Sequence, residues 1–110
     1  MRVILDECLP RVFADDLPGY EVQTVQQAGF GGKKNGELLK LIGAANFGAF
    51  ITIDKNMPTE QRIAGLSFGL VVLRAKSNGL QHLRPLARKV LKALKDLKPG
   101  RVIVVAKGRP

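Results

Sequence analysis

Short apolar runs rich in β-branched residues recur along this chain, and each stops abruptly at a polar residue. Val3-Ile4-Leu5 stops at Asp6-Glu7, Ala49-Phe50-Ile51-Thr52-Ile53 at Asp54, and Leu70-Val71-Val72-Leu73 at Arg74. Val102-Ile103-Val104-Val105 is a fourth run. Runs apolar at consecutive rather than alternate positions belong to strands covered on both faces. Tyr20 to Val25 alternates polar and apolar and reads as a further strand.

Helical patterns fill the intervals. Leu9 to Leu17 reads as a short helix with Pro10 near its start, where a missing N–H does no harm. Pro18-Gly19 ends it. Residues 29–36 form a loop by composition, and Asn35 is the expected N-cap of the next helix. Leu38, Leu39, Leu41, Ile42 and Ala45 repeat at helical spacing up to Gly48. A short helix is expected from Thr59 to Ala64. Leu80 to Leu97 carries a long apolar stripe, with Arg84, Arg88, Lys92 and Lys95 on the other face and Pro85 breaking or kinking the first turn. Strands alternating with helices predict a single domain over residues 1–110. The expected fold class is a three-layer α/β/α sandwich around a mainly parallel sheet of about five strands.

At 110 residues the chain suffices for one domain. Aromatics are only 5%, so an aliphatic core is expected. No apolar run is long enough to span a bilayer, and the N-terminal run meets Asp6-Glu7 too soon for a signal peptide. A cytoplasmic protein without a membrane partner is expected. The single Cys8 excludes an internal disulfide and reads as a small packed residue. Charge is unevenly spread. Residues 1–60 hold six basic and eight acidic side chains, and residues 61–110 hold twelve basic and one acidic. A basic half attracts polyanions, although many such surfaces serve only solubility.

Ligands of open parallel sheets bind at the carboxyl ends of strands. Asp6-Glu7 and Asp54 occupy such ends, and Glu37 lies in the first turn of a helix that begins at the same edge. Asp6, Glu37 and Asp54 are therefore expected to converge. Crowded carboxylates repel one another, and a hard divalent cation relieves that repulsion. Mg²⁺ or Mn²⁺ held there activates water and stabilises charge on a phosphoryl group. Duller roles compete: Asp6 as a helix cap, Glu7 as a capping or solvated residue, Glu37 as a macrodipole partner, and Asp54 as a turn residue. Asn56 is a neutral oxygen ligand or a turn residue. Lys33 and Lys34 contact phosphates or sit on a mobile loop. Arg74 and Lys76, with Ser77 and Asn78, grip an RNA backbone, or the last two cap the final helix. His82, the one histidine, is expected on the surface without a partner.

Asp6-Glu7-Cys8-Leu9-Pro10, Gly36-Glu37-Leu38-Leu39, Ile51-Thr52-Ile53-Asp54-Lys55-Asn56 and Val71-Val72-Leu73-Arg74 together resemble the compact PIN-like domains of bacteria. The resemblance runs through Pro99-Gly100 and the last strand. It implies a metal-dependent ribonuclease, often the toxin of a toxin–antitoxin pair, with RNA, a cognate antitoxin protein and a second copy of itself as partners. It further implies that Asp6, Glu37 and Asp54 are the acidic metal-binding residues. Two positions depart from the pattern. Cys8 replaces the Asn of Asp-Glu-Asn-Leu-Pro, and Asn56 replaces the second acid of Asp-x-Asp. Two other readings stand beside this one. The first is a catalytically silent RNA- or partner-binding module of the same fold. The second is a phospho-receiver-like regulatory domain, with Asp54 as acceptor and Lys107 after the last strand.

Overall fold

The computed structural model describes residues 1–107. Five strands form one sheet: β1 (Arg2–Leu5), β2 (Glu21–Thr24), β3 (Ala49–Thr52), β4 (Gly69–Arg74) and β5 (Val102–Ala106). Their order is β2-β1-β3-β4-β5, and every pairing is parallel. Four α-helices accompany them: α1 (Asn35–Ala44), α2 (Met57–Glu60), α3 (Leu80–Leu83) and α4 (Ala87–Asp96). Two 3-10 segments, Arg11–Asp16 and Arg84–Leu86, complete the set.

Register explains the layering. Ile4, Phe50, Leu70 and Val102 lie side by side, and so do Leu5, Ile51, Val71 and Ile103. Successive side chains on a strand point to opposite faces, so the two rows face opposite ways. The first row packs with Leu38, Leu39 and Ile42 of α1 and Met57 of α2. The second packs with Phe13 of the first 3-10 segment and with Leu83, Leu86, Val90 and Leu94. Consecutive apolar residues are thus needed on the central strands because both faces are covered. The core is not purely aliphatic: Phe13, Phe50 and Phe68 are its largest fully buried side chains. Burying each contributes about 1.5–3 kcal/mol.

Local differences from the sequence reading have physical reasons. The Leu9–Leu17 segment tightens to a 3-10 helix over Arg11–Asp16 and buries only Phe13 along its length. The helix expected over Thr59–Ala64 is displaced to Met57–Glu60, with Pro58 at its start. Lys34, not Asn35, precedes α1, and no side chain caps it. The last helix is three pieces. Pro85 lacks the N–H an α-turn needs there, and residues Arg84–Leu86 wind as 3-10. Among the described residues, no helix is long and apolar enough to cross a membrane.

Gly100 makes the turn into β5 with φ 76°, and its N–H donates to the Phe68 carbonyl at 2.9 Å. A Cβ there would run into the Ala64 carbonyl oxygen. Gly100→Ala is therefore expected to cost about 2 kcal/mol or more, from left-handed strain plus a backbone clash. Urea unfolding checks this: the midpoint falls while the slope is unchanged.

Candidate functional site

The neighbours of β1 and β3 extend in opposite directions, so the strand order reverses between these two strands. Their carboxyl ends carry Asp6, directly after β1, and Asp54, one residue beyond Ile53 after β3. The Asp6 N–H donates to the Ile51 carbonyl at 2.9 Å and extends the β1–β3 ladder by one bond. That bond sets Asp6 beside Thr52. The Thr52 side chain is fully buried. Its hydroxyl donates to Asp6 Oδ2 at 2.6 Å, and its Oγ1 accepts the Asp54 N–H at 3.0 Å. Asp6 Oδ1 accepts the Glu7 N–H at 2.7 Å, and Asp54 Oδ1 accepts the Asn56 N–H at 3.0 Å. Asp6 and Asp54 are thus brought together through one hydroxyl. The Asn56 backbone forms the turn that fixes Asp54.

Burial holds the Asp6 carboxyl above the ordinary value of 3.8, against the opposing hydrogen bonds from Thr52 and Glu7. The negative charges of Asp54 and Glu7 push it further in the same direction. Cys8 is exposed rather than packed. Its thiol is nevertheless pushed up, first by partial desolvation and then by the charge of Asp6. A more weakly felt charge on Asp54 acts the same way. Cys8 therefore puts a protonated thiol beside the acidic pair. Nothing in the sequence alone signalled that exposure.

Glu37 is not drawn into this arrangement. It forms an exposed i,i+4 pair with Lys33, at 3.8 Å. Among the described residues, no three His, Cys, Asp or Glu side chains form a group that could hold a metal ion. The expected convergence of Asp6, Glu37 and Asp54 thus reduces to the Asp6–Asp54 pair. A cation of the magnesium type needs only one or two protein carboxylates and completes its shell with water and substrate oxygens. Glu7 has a role that capping did not anticipate. Its Oε1 accepts the Gly32 N–H at 2.8 Å, and its carbonyl accepts Gln26 Nε2 at 3.1 Å. This ties the glycine-rich loop, and with it Lys33 and Lys34, to the acidic edge.

Basic residues continue along that edge. A shallow cavity of about 460 Å³ is lined by Ile53, Lys55, Leu73, Arg74, Ala75 and Lys76. Asn78 does not cap a helix: its Nδ2 donates to the Cys8 carbonyl at 2.7 Å and bridges the loops after β1 and β4. His82 has a partner after all, Ser77 Oγ at 2.7 Å from Nδ1. Comparison with protein-family models, with curated proteins and with solved structures found no match.

The raised Asp6 pKa has a signed consequence. Between the unfolded and folded values the folded state holds more protons, so this group's contribution to stability falls as pH rises through that window. Asp6→Asn is expected to gain stability relative to the unmutated protein on going from pH 3 to pH 7. Carbon-detected titration of metal-free protein should put the Asp6 midpoint above 3.8, and Asp54→Asn should lower it. A midpoint at or below that value, unmoved by Asp54→Asn, would contradict the geometry.

Proposed function

We propose that this protein is a divalent-metal-dependent endoribonuclease in which Asp6 and Asp54 hold the cation. The observation that carries the reading is the sharing of the buried Thr52 hydroxyl by Asp6 and the Asp54 backbone, at the point where the strand order reverses. That edge is where open parallel sheets bind ligands. Asp6 is partly desolvated and feels the negative charge of Asp54, and a neutralising cation would relieve both. A bound Mg²⁺ or Mn²⁺ would supply Lewis-acid stabilisation of phosphoryl charge and a lowered pKa for water.

The chain's own residues do the rest. Thr52 occupies one oxygen of Asp6 and fixes its orientation. The Asn56 N–H does the same for one oxygen of Asp54. Lys55, Arg74 and Lys76 along the edge offset RNA backbone charge. Lys33 and Lys34 approach from the loop that Glu7 tethers. RNA as substrate, a role as toxin and an antitoxin partner are what the resemblance to PIN-like domains adds. The same holds for a homodimer.

The test is incubation of a mixed RNA pool with purified protein and Mn²⁺ or Mg²⁺. Cleavage is expected, and it is expected to be lost with EDTA, with Asp54→Asn and with Asp6→Asn. Thr52→Val, which removes only the supporting hydroxyl, should cost on the order of 10–100-fold. Full activity in both Asp variants would overturn the assignment. That no three His, Cys, Asp or Glu side chains form a metal-holding group among the described residues favours one second reading, a binding module. RNA binding that ignores chelator, without cleavage under either metal, is its signature. Asn56→Asp restores a carboxylate next to Asp54, and added ligand charge should tighten Mn²⁺ binding several-fold in calorimetry.

A further inference from the structure

Beyond the shallow cavity, at the carboxyl ends of β4 and β5, lies a deeper one of about 420 Å³. Arg74, Ala75 and Lys76 line both. The deeper cavity is closed by His82, Pro85, Leu86 and Lys107. Its chemistry is one-sided. Arg74, Lys76 and Lys107 bring three cations, and among the described residues no carboxylate lines it. None of the three forms a salt bridge among the described residues. Arg84, next to Pro85 in the chain, pairs instead with Asp16 at 3.2 Å. Pro85 and the buried Leu86 add an apolar floor.

His82 is held in a defined setting. The Gly79 N–H donates to Ser77 Oγ, which lies 2.7 Å from His82 Nδ1. Nδ1 is thereby engaged, and Nε2 is the ring nitrogen left for a ligand. When the Ser77 hydroxyl donates, Nε2 carries the proton and is a hydrogen-bond donor.

We infer that this cavity binds a nucleoside phosphomonoester, with the phosphate on Arg74, Lys76, Lys107 and His82 and the nucleoside over Pro85 and Leu86. Three cations and a ring nitrogen match a dianion with three terminal oxygens better than the single charge of a phosphodiester. The volume suits one nucleotide. The continuity with the shallow cavity makes the end of an RNA strand a natural source of the ligand. A free mononucleotide offers the same chemistry. Binding here calls on neither Asp6 nor Asp54, so the inference stands apart from the proposed hydrolysis.

The chain's single histidine gives one imidazole Cε1–H resonance to follow by proton NMR. The full-length protein is titrated in EDTA with adenosine 5′-monophosphate, adenosine, inorganic phosphate and a tetraglutamate peptide. A saturating shift is expected with the monophosphate, a weaker response with inorganic phosphate, and none with adenosine or the peptide. Arg74→Ala and Lys107→Ala, both at exposed positions, should keep the wild-type spectrum and weaken binding about five- to tenfold. Comparison of 5′-phosphorylated with 5′-hydroxyl oligoribonucleotides tells a strand end from a free nucleotide. No saturating shift overturns the inference, as do equal responses to adenosine or peptide, or variants that bind as tightly as the unmutated protein. Without metal or turnover in the assay, its failure is separate from failure of the cleavage test.

Discussion

Pairing of β1 directly with β3, Val3 beside Ala49 through Leu5 beside Ile51, is the constraint from which the rest of the molecule follows. The chain must leave β1, build β2 on one side, and return past β1 to lay β3 on the other. Parallel strands require a crossover for each such step, and crossovers are right-handed. The helices are consequently sent to opposite faces: α1 and α2 to one, the 3-10 segment after β1 and α4 to the other. The same pairing continues by one bond past the last strand residue, through the Asp6 N–H. It therefore determines which polar side chain Thr52 meets.

Magnitudes separate what stabilises this fold from what stands at its edge. Its ion pairs Lys33–Glu37 and Lys92–Asp96 are i,i+4 contacts between exposed side chains. Such pairs contribute about 0.3–0.5 kcal/mol each. Truncating one buried phenylalanine would cost about 3–5 kcal/mol. The apolar rows of the sheet carry the stability, and surface charge adds little. Against that background Asp6 runs the other way, because a carboxylate partly removed from water and feeling the charge of Asp54 is a net cost. Buried strain of this kind clusters at functional sites, where local consistency yields to chemistry.

The central strands were legible in the sequence because burial on both faces leaves a continuous apolar run, β2 was legible from its alternation, and all five were found within a residue or two. The helices were less so. Residues 9–17 carry a helical pattern, yet Pro10 and a single inward Phe13 suit a 3-10 segment as well. Pro85 signalled a break in the last helix but not whether it would be a kink or a change of winding. Strand-end position sufficed to place Asp6 and Asp54 at one edge of the sheet. It could not place Glu37, because a residue in a first helical turn has its direction set by helix phase. That phase here turns Glu37 toward Lys33. The Thr52 hydroxyl, the Glu7 tether to Gly32 and the Asn78 bridge to Cys8 were invisible. Each is a contact between segments whose approach only the folded sheet defines.

The lopsided charge of the chain acquires a spatial meaning once the sheet is assembled. The acidic half supplies β1 and β3, and hence Asp6 and Asp54. The basic half supplies β4 and β5, whose ends bring Arg74, Lys76 and Lys107 to the same edge. A parallel sheet presents all its carboxyl ends on one side, so a sequence divided in charge becomes a surface graded in charge from strand to strand. Not every cation takes part. Arg88, Lys92 and Lys95 ride the outer face of α4, where exposure to water leaves them to solubility and long-range attraction. Position at a strand end, more than net charge, separates the cations that share an edge with the acidic pair from those that do not. A uniformly basic surface would attract a polyanion without orienting it. Under the proposed function, the step from carboxylates to cations along one edge is what would orient a phosphate chain.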